Sequence, residues 1–549
     1  MADPSGSPSL QPREISMQTL ISAQRFLNRI KNFHFPSLQL PVFCAIALCS
    51  GSLSAADKPN VIIMLADDLG FADVGYRGSD IQTPALDRLA AEGMRLERFY
   101  SNPICTPTRA SLLTGRDALR MGVGYFPILA WSNKAVSPEE HFMPESFREA
   151  GYQTGMVGKW HLGHTLETHT PNARGFDEFF GHLHTQVFYW SHKTSGGHDL
   201  QYNGQSVRRD GRYLTDVHGE EAERFIRARD EEKPFFLYVP FLAPHSPMEA
   251  PKELIAKYSN RDLIPMPESN PLRAVYGEKQ LRLVQQVYAA MVDSMDQAIA
   301  RILNTLDEEG IADNTIVLFF SDNGGFYGFG ADNRPLRGEK MTVFEGGLRV
   351  PAVIRWPEKI AAGSQSEQFV SVMDLFPTLS AAAGVKMRND KPLDGENRWP
   401  LKAGDSYQAR NGDTFFVAEQ SSASPYYYAV IRDEWKLVQV MREDLYTKTV
   451  ENLLFNIVED PGEQNNLAAE QPERVELLGN AIARWAAQHP VAGQHVEIAP
   501  NPGWLPPKDW AEAVIPTDKL LDAQDNGFEA DVAERLDQVY KGRGRVVYE

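Results

Sequence analysis

The stretch Asn60-Val61-Ile62-Ile63-Met64-Leu65-Ala66 runs without a break into Asp67-Asp68-Leu69-Gly70. From Val61 to Ala66 it is continuously apolar and rich in β-branched residues. No polar alternation reserves one face for water, so it reads as a parallel strand buried on both sides. Thr315–Phe320 (TIVLFF) has the same character and runs into Ser321-Asp322-Asn323-Gly324-Gly325, and Phe235–Pro240 supplies another strand. Helical spacing lies between them. Thr83 is expected to cap a helix that has Pro84 in its first turn, Leu86, Leu89 and Ala90 on one face, and an end near Gly93. A long helix is expected over Gln280–Glu309, where Val284, Val287, Met291, Met295, Ile299, Ile302 and Leu306 recur at three and four to form a buried face. The charged run Glu220–Lys233 reads as a solvated helix face. Strands alternating with helices specify an α/β fold with a parallel sheet wrapped on both faces.

Past about residue 415 the texture changes. Tyr426–Val440, interrupted at Asp433-Glu434, reads as antiparallel strands, Asp460-Pro461-Gly462 as a turn, and Pro472–His489 as an amphipathic helix. The expected organisation is a leader over residues 1–56, the main α/β domain over 57–414, a smaller α+β subdomain with an antiparallel sheet over 415–498, and an extension over 499–549 packing on the surface.

The leader has the marks of export. Arg25, Arg29 and Lys31 precede the apolar run Leu38–Leu48, which leads to small residues around Ser54-Ala55-Ala56, the layout of a secretory signal peptide. That run is too short to cross a bilayer and no later segment is long enough, so a secreted or periplasmic protein without a membrane span is expected. Cleavage removes Cys44 and Cys49 and leaves Cys105 alone of the 3 cysteines. A solitary exported thiol has no partner in its own chain and calls for an explanation. Composition narrows the rest. At 549 residues and 42% hydrophobic the chain is no disordered polymer, and 3 cysteines make no disulfide scaffold. A net charge of −18 opposes nucleic acid and anionic membranes and favours a large acidic enzyme.

Ligands of open α/β sheets sit at the carboxyl ends of strands. Two strands here end in acceptor pairs, Asp67-Asp68 and Asp322-Asn323. Alone, each pair is an ordinary turn; brought together, three carboxylates and a carboxamide require a cation. Oxygen ligands without a cysteine or histidine cluster select a hard ion, Ca²⁺ ahead of Mg²⁺. Cys105 lies in Ser101-Asn102-Pro103-Ile104-Cys105-Thr106-Pro107-Thr108-Arg109-Ala110-Ser111-Leu112-Leu113-Thr114-Gly115-Arg116. Pro107 suits a first helical turn, which puts residue 105 at a helix N-terminus where orphan N–H groups favour negative charge. An inert buried thiol is the plain alternative.

This segment resembles the signature of the type I sulfatases, C-x-P-S-R followed by A-x-L-L-T-G-R, with Thr108 where most members carry Ser. Other stretches resemble the family in order: Asn60–Gly70, Gly158-Lys159-Trp160-His161-Leu162-Gly163, Pro244-His245, Ser321–Gly325, Pro335-Leu336-Arg337-Gly338-Glu339-Lys340 with Glu345-Gly346-Gly347, and Leu445-Tyr446 with Asp460–Glu463 and Asn466-Leu467. The resemblance implies an alkaline-phosphatase-like sandwich with a mixed, mostly parallel central sheet flanked by helices. It also implies hydrolysis of sulfate esters through a sulfoenzyme intermediate. Cys105 is then converted to formylglycine by a formylglycine-generating or sulfatase-maturating enzyme, and its hydrate is the nucleophile beside Ca²⁺ on Asp67, Asp68, Asp322 and Asn323, with residue 105 also at the ion. By the same resemblance Asp322 would take the proton of the attacking hydroxyl, Arg109 and Lys159 would hold the hydrate and sulfuryl oxygens, and His161 would deprotonate the remaining hydroxyl. His245 and Lys340 bind the sulfate and protonate the leaving alkoxide.

The spacing around Gly175-Phe176-Asp177 and Pro335–Lys340 resembles that of arylsulfatases acting on sulfated sugars, including N-acetylgalactosamine sulfatases, so a sugar sulfate is the expected substrate class. His182 and His184, with Phe188, Tyr189 and Trp190, could rim a pocket for such a sugar or belong to a plain polar loop. His164 is given no metal role. Rival readings are a phosphonate or phosphate monoester hydrolase of the same superfamily, and a calcium-dependent saccharide-binding protein without catalysis. A redox protein lacks a resolving cysteine.

Overall fold

The strand Asn60–Ala66 lies inside an 11-stranded sheet, hydrogen-bonded to Thr315–Ser321 on one side and Phe235–Pro240 on the other. The computed structural model describes residues 58–268, 270, 277–388, 390–419, 426–443, 448–489, 500 and 504–517. The expected signal peptide, Cys44 and Cys49, the pair Leu445-Tyr446 and most of the C-terminal extension lie outside the described residues.

Five neighbouring strands, Thr315–Ser321, Asn60–Ala66, Phe235–Pro240, Gln153–Lys159 and Glu178–His182, run parallel. Beyond them Ala352–Arg355 and Gln201–Tyr202 pair antiparallel, so the sheet is mixed and mostly parallel, as expected. Side chains of the central strand divide by parity. Val61, Ile63 and Leu65 enter one hydrophobic cluster and Ile62, Met64 and Ala66 the other. That division is why the run carries no polar alternation: helices Pro84–Glu92, Leu214–Arg227 and Glu278–Glu308 cover one face, and Cys105–Thr114, Met143–Glu149 and Leu375–Ala382 the other.

Three expectations need correction. The helix Pro84–Glu92 is not capped by the Thr83 side chain, whose hydroxyl accepts from Gly75 N–H and donates to Asp87. Its orphan N–H groups at Ala85 and Leu86 donate instead to the Asp296 carboxylate of the long helix, both at 2.9 Å. The long helix spans Glu278–Glu308 with every expected core position buried except Val284, which is half-buried. The run Glu220–Lys233 is not one solvated face. The helix ends at Arg227, and Ala222, Phe225 and Ile226 point into the core, so it is amphipathic.

A separate antiparallel sheet, Thr414–Glu419, Tyr426–Arg432, Trp435–Glu443 and Lys448–Asn456, carries the helix Pro472–Ala486 against it. Asp433-Glu434 forms the expected turn, with Asp433 at φ 53°. Lys436 fastens this sheet to the larger unit. Its ammonium, fully buried, pairs with Glu345 at 3.0 Å and Glu463 at 2.9 Å, and Tyr100 Oη donates to Glu345 at 2.8 Å. Of the extension, residues 504–517 bury Trp504 and Trp510, and Asp509 accepts from Ser206 and Arg208. Among the described residues no helix is long and apolar enough to cross a membrane.

Removing one member of a buried ion cluster strands the others. Lys436→Met is expected to lower unfolding free energy by about 3–5 kcal/mol in urea titrations; a loss below ~1 kcal/mol would contradict this account of the junction. Burial pushes the Glu463 carboxyl up to about 7, with Lys436 opposing and Glu345 reinforcing. Its folded-state value lies above the ordinary one, so its contribution is greatest in acid and is lost as pH rises through 7. The variant should therefore lose more at pH 8 than at pH 5.

Candidate active site

Parallel pairing brings the two acceptor pairs side by side. Ala66 is in register with Ser321, and Asp322 N–H donates to Ala66 O at 2.9 Å. The chain then turns sharply at Asp68 (φ 69°), a left-handed position that Asp tolerates. Asp68 N–H donates to Asp322 Oδ1 at 3.3 Å, and Asn323 Nδ2 donates to Asp68 Oδ1 at 2.7 Å. Asp67, Asp68, Asp322 and Asn323 are all buried.

Cations close round these carboxylates. Lys159, the last residue of its strand, is fully buried with Nζ 2.6 Å from Asp67 Oδ2. The backbone before it is confined: at Gly158 (φ 136°) a Cβ would lie 2.0 Å from the carbonyl oxygen of Pro240. Arg109, also fully buried, reaches Asp322 at 2.9 Å and Asp67 at 3.3 Å through one nitrogen, so these two carboxylates are near enough to share a cation. Lys340 Nζ lies 2.7 Å from Asp68 Oδ1. His245 follows the strand Phe235–Pro240; its Nε2 is 3.7 Å from Asp68 and its Nδ1 is 2.7 Å from Ser246 O.

Cys105 is the first residue of the helix Cys105–Thr114, buried, with Sγ 3.5 Å from Asp67 Oδ1. Thr108 Oγ1 accepts from Asn102 N–H at 2.9 Å and donates to Asn102 O at 3.2 Å, stapling the segment before Cys105. Burial pushes the Cys105 thiol up to about 12 against the pull of Lys159 and Lys340. Burial acts to raise Asp67, but Lys159, His245 and Arg109 together hold it far below the usual carboxylate range. Asp322 is pushed up to about 7 by burial and the Asp67 charge, with Arg109 opposing, and His245 down to about 4 by burial and Lys340. His161 (φ 62°) is also held well below its ordinary value by burial, and its Nδ1 has no hydrogen-bond partner among the described residues.

Residues 59–385 match the sulfatase family model and residues 338–483 that of the N-sulphoglucosamine sulphohydrolase C-terminal region. The chain belongs to the sulfatase family. It is 31% identical to N-acetylgalactosamine-6-sulfatase of Homo sapiens over 509 residues, 84% of this chain and 90% of that one. It is 35% identical to arylsulfatase J of Mus musculus over 353 residues, 63% of this chain and 56% of that one. The solved structure of Ps i-CgsB in complex with k-i-k-neocarrahexaose is 29% identical, covers 87% of this chain and 99% of its own, and superposes with a TM-score of 0.68. This sulfatase is thus a sulfuric ester hydrolase, and its family implies formylglycine and a divalent metal.

The donor set fits such an ion. Oxygens of Asp67 and Asp68, Cys105 Sγ and a His245 ring nitrogen lie within 4.8 Å of one another, and Asn323 Oδ1 is buried with no hydrogen-bond partner among the described residues. Asp322 lies beside this cluster, its oxygens engaged by Arg109 and the Asp68 amide. Sequence reasoning had put His245 with the sulfate only; the structure brings it to the carboxylates as well. It also missed Tyr288, whose hydroxyl lies 3.2 Å from Asp68 O and accepts from Gly70 N–H, and Asn333, whose side chain accepts from Gly325 N–H and donates to Gly325 O and Gly338 O. Tyr288 lies on the long helix, away from any family stretch, and Asn333 lies in an irregular loop just ahead of the Pro335–Lys340 stretch, where an asparagine carries no readable role.

A cavity of about 680 Å³ opens above the site, with Cys105, His161, His245 and Lys340 among its lining. His182 and His184 do not line it. His182 ends its strand at 0% exposure and His184 is clamped through Nδ1 to Asp199 at 2.7 Å, so both lie in the packed interior and Phe188 reaches the cavity in their place.

A divalent ion held by these oxygens should stabilise the fold by about 2.7 kcal/mol at a hundredfold excess over its Kd. Thermal melts of chelator-stripped protein should therefore shift upward on adding Ca²⁺, and Asn323→Ala should remove most of the shift. An equal shift in wild type and variant would exclude Asn323 from the ion.

Proposed function

We propose that this sulfatase hydrolyses sulfate esters of carbohydrates outside the cytoplasm, after a maturating enzyme has converted Cys105 to formylglycine and with Ca²⁺ held by Asp67, Asp68, Asp322 and Asn323. The carrying observation is Cys105 itself, a buried thiol in contact with Asp67 inside a ring of cations. A thiol pushed up to about 12 is no thiolate nucleophile at neutral pH, although its surroundings are those of an attacking oxyanion. Conversion removes that contradiction. The hydrated aldehyde supplies a hydroxyl nucleophile, and the calcium ion supplies positive charge at the sulfuryl oxygens.

The remaining work belongs to the chain. Asp322, raised toward neutrality by burial, is placed to accept the proton of the attacking hydroxyl. Arg109 and Lys159 hold Asp67 and Asp322 in position and neutralise the floor on which the monoanionic ester binds. Lys340 Nζ and His245 Nε2, both at the cavity, receive the sulfate and return a proton to the departing sugar oxygen. His161 shares the cavity, and its Nδ1, without a hydrogen-bond partner among the described residues, deprotonates the second hydroxyl so that sulfate leaves. The sugar substrate is supported by relatives named for N-acetylgalactosamine-6-sulfatase activity and by a neighbour bound to neocarrahexaose.

Sulfate release from a panel of sulfated mono- and oligosaccharides should fall by at least ~10³-fold in Cys105→Ala, the scale of losing a nucleophile. Phosphate esters of the same alcohols should be much poorer substrates. A preference for phosphate or phosphonate monoesters would move the enzyme to the rival hydrolase class.

A further inference from the structure

Above its charged floor the cavity changes character. Among the described residues that line it Lys340 alone carries a permanent charge, and the walls set Phe126, Leu129, Trp131, Phe188, Met341 and Trp504 among neutral polar side chains. Phe188 leaves 50% of its surface exposed there, a cost that large aromatics seldom bear without use. It is presented by a fixed loop. Its neighbour Tyr189 is fully buried, donating from Oη to His245 O at 2.8 Å and from N–H to Glu249 at 2.7 Å, and Asp199 pins the loop through His184. Trp131 is held in turn by Trp504, edge to face at 6.1 Å, and Trp504 by Trp510 at 6.3 Å. The C-terminal segment thereby supports an aromatic wall of the active site.

We infer that Phe188 and Trp131 bind the ring face of the leaving alcohol, so that the preferred substrate is a sulfate ester on an uncharged sugar ring with that sulfate as the only anion in the cavity. This rests on the sulfate-ester reading above. A pyranose presents C–H groups on its faces, which an aromatic surface accepts, and hydroxyls on its edge. A second sulfate or a uronate carboxylate would lose its water against walls whose described residues offer no cation in exchange. The chain's net charge of −18 further opposes polyanionic polymers.

The test compares sulfate release by the matured, calcium-loaded enzyme on monosulfated methyl galactosides, on a sulfated disaccharide carrying a uronate, and on acyclic butyl sulfate. The galactosides are expected to exceed the uronate disaccharide in kcat/KM by roughly tenfold or more. Phe188→Ala/Trp131→Ala should lower the galactoside-to-butyl ratio of kcat/KM roughly tenfold, through KM, while Phe188→Tyr/Trp131→Phe restores it. Phe188→Ala alone, at an exposed position, should give part of the loss (about threefold) and keeps the test open if the double variant does not fold. A ratio unchanged within about twofold, or a preference for the uronate disaccharide, overturns the inference and leaves sulfate-ester hydrolysis standing. No sulfate release from any of the three overturns both.

Discussion

The Asp67 carboxylate is removed from water entirely, and the architecture round it answers that burial. Lys159, from the parallel strand beyond Phe235–Pro240, and Arg109, from the helix that begins at Cys105, both reach it. An isolated carboxylate in such a place would protonate or unfold the site; paired with cations it stays ionised and fixes three elements relative to one another. Asp322 and Asp68 repeat the arrangement with Arg109 and Lys340. Each charge in the floor therefore does two jobs, holding strand ends together and setting the field in which an anionic ester can be attacked.

That field lies where a parallel sheet puts it. The ends of Asn60–Ala66, Thr315–Ser321, Gln153–Lys159 and Phe235–Pro240 all face one side, so residues more than two hundred positions apart meet without any one loop having to carry the site. The floor is charged and preorganised; the walls above it are aromatic and almost uncharged.

Much of this is readable from the residues alone, for physical reasons. A strand buried on both faces has a composition few other segments share, and acceptor pairs directly after such strands fall at the ligand-binding edge. On the expectation of a cleaved leader, Cys105 stands alone at a helix start and reads as an anomaly. What stayed hidden depends on partners far along the chain. Asp296 caps a helix more than two hundred residues away, and Thr83, the local candidate, does something else. His184 reads as a polar loop residue until Asp199 is seen beside it. Lys436 stands on a strand whose pattern gives no sign that its charge is buried between two glutamates.

The account turns on the chemical state of residue 105. Its most direct test is the mass of the tryptic peptide Phe99–Arg109 from enzyme purified out of a host that supplies the maturating activity, with sulfate release measured on the same sample. The account predicts that the peptide carries an aldehyde at position 105 in proportion to activity. A peptide with an intact thiol, from a preparation that releases sulfate at full rate, would contradict it.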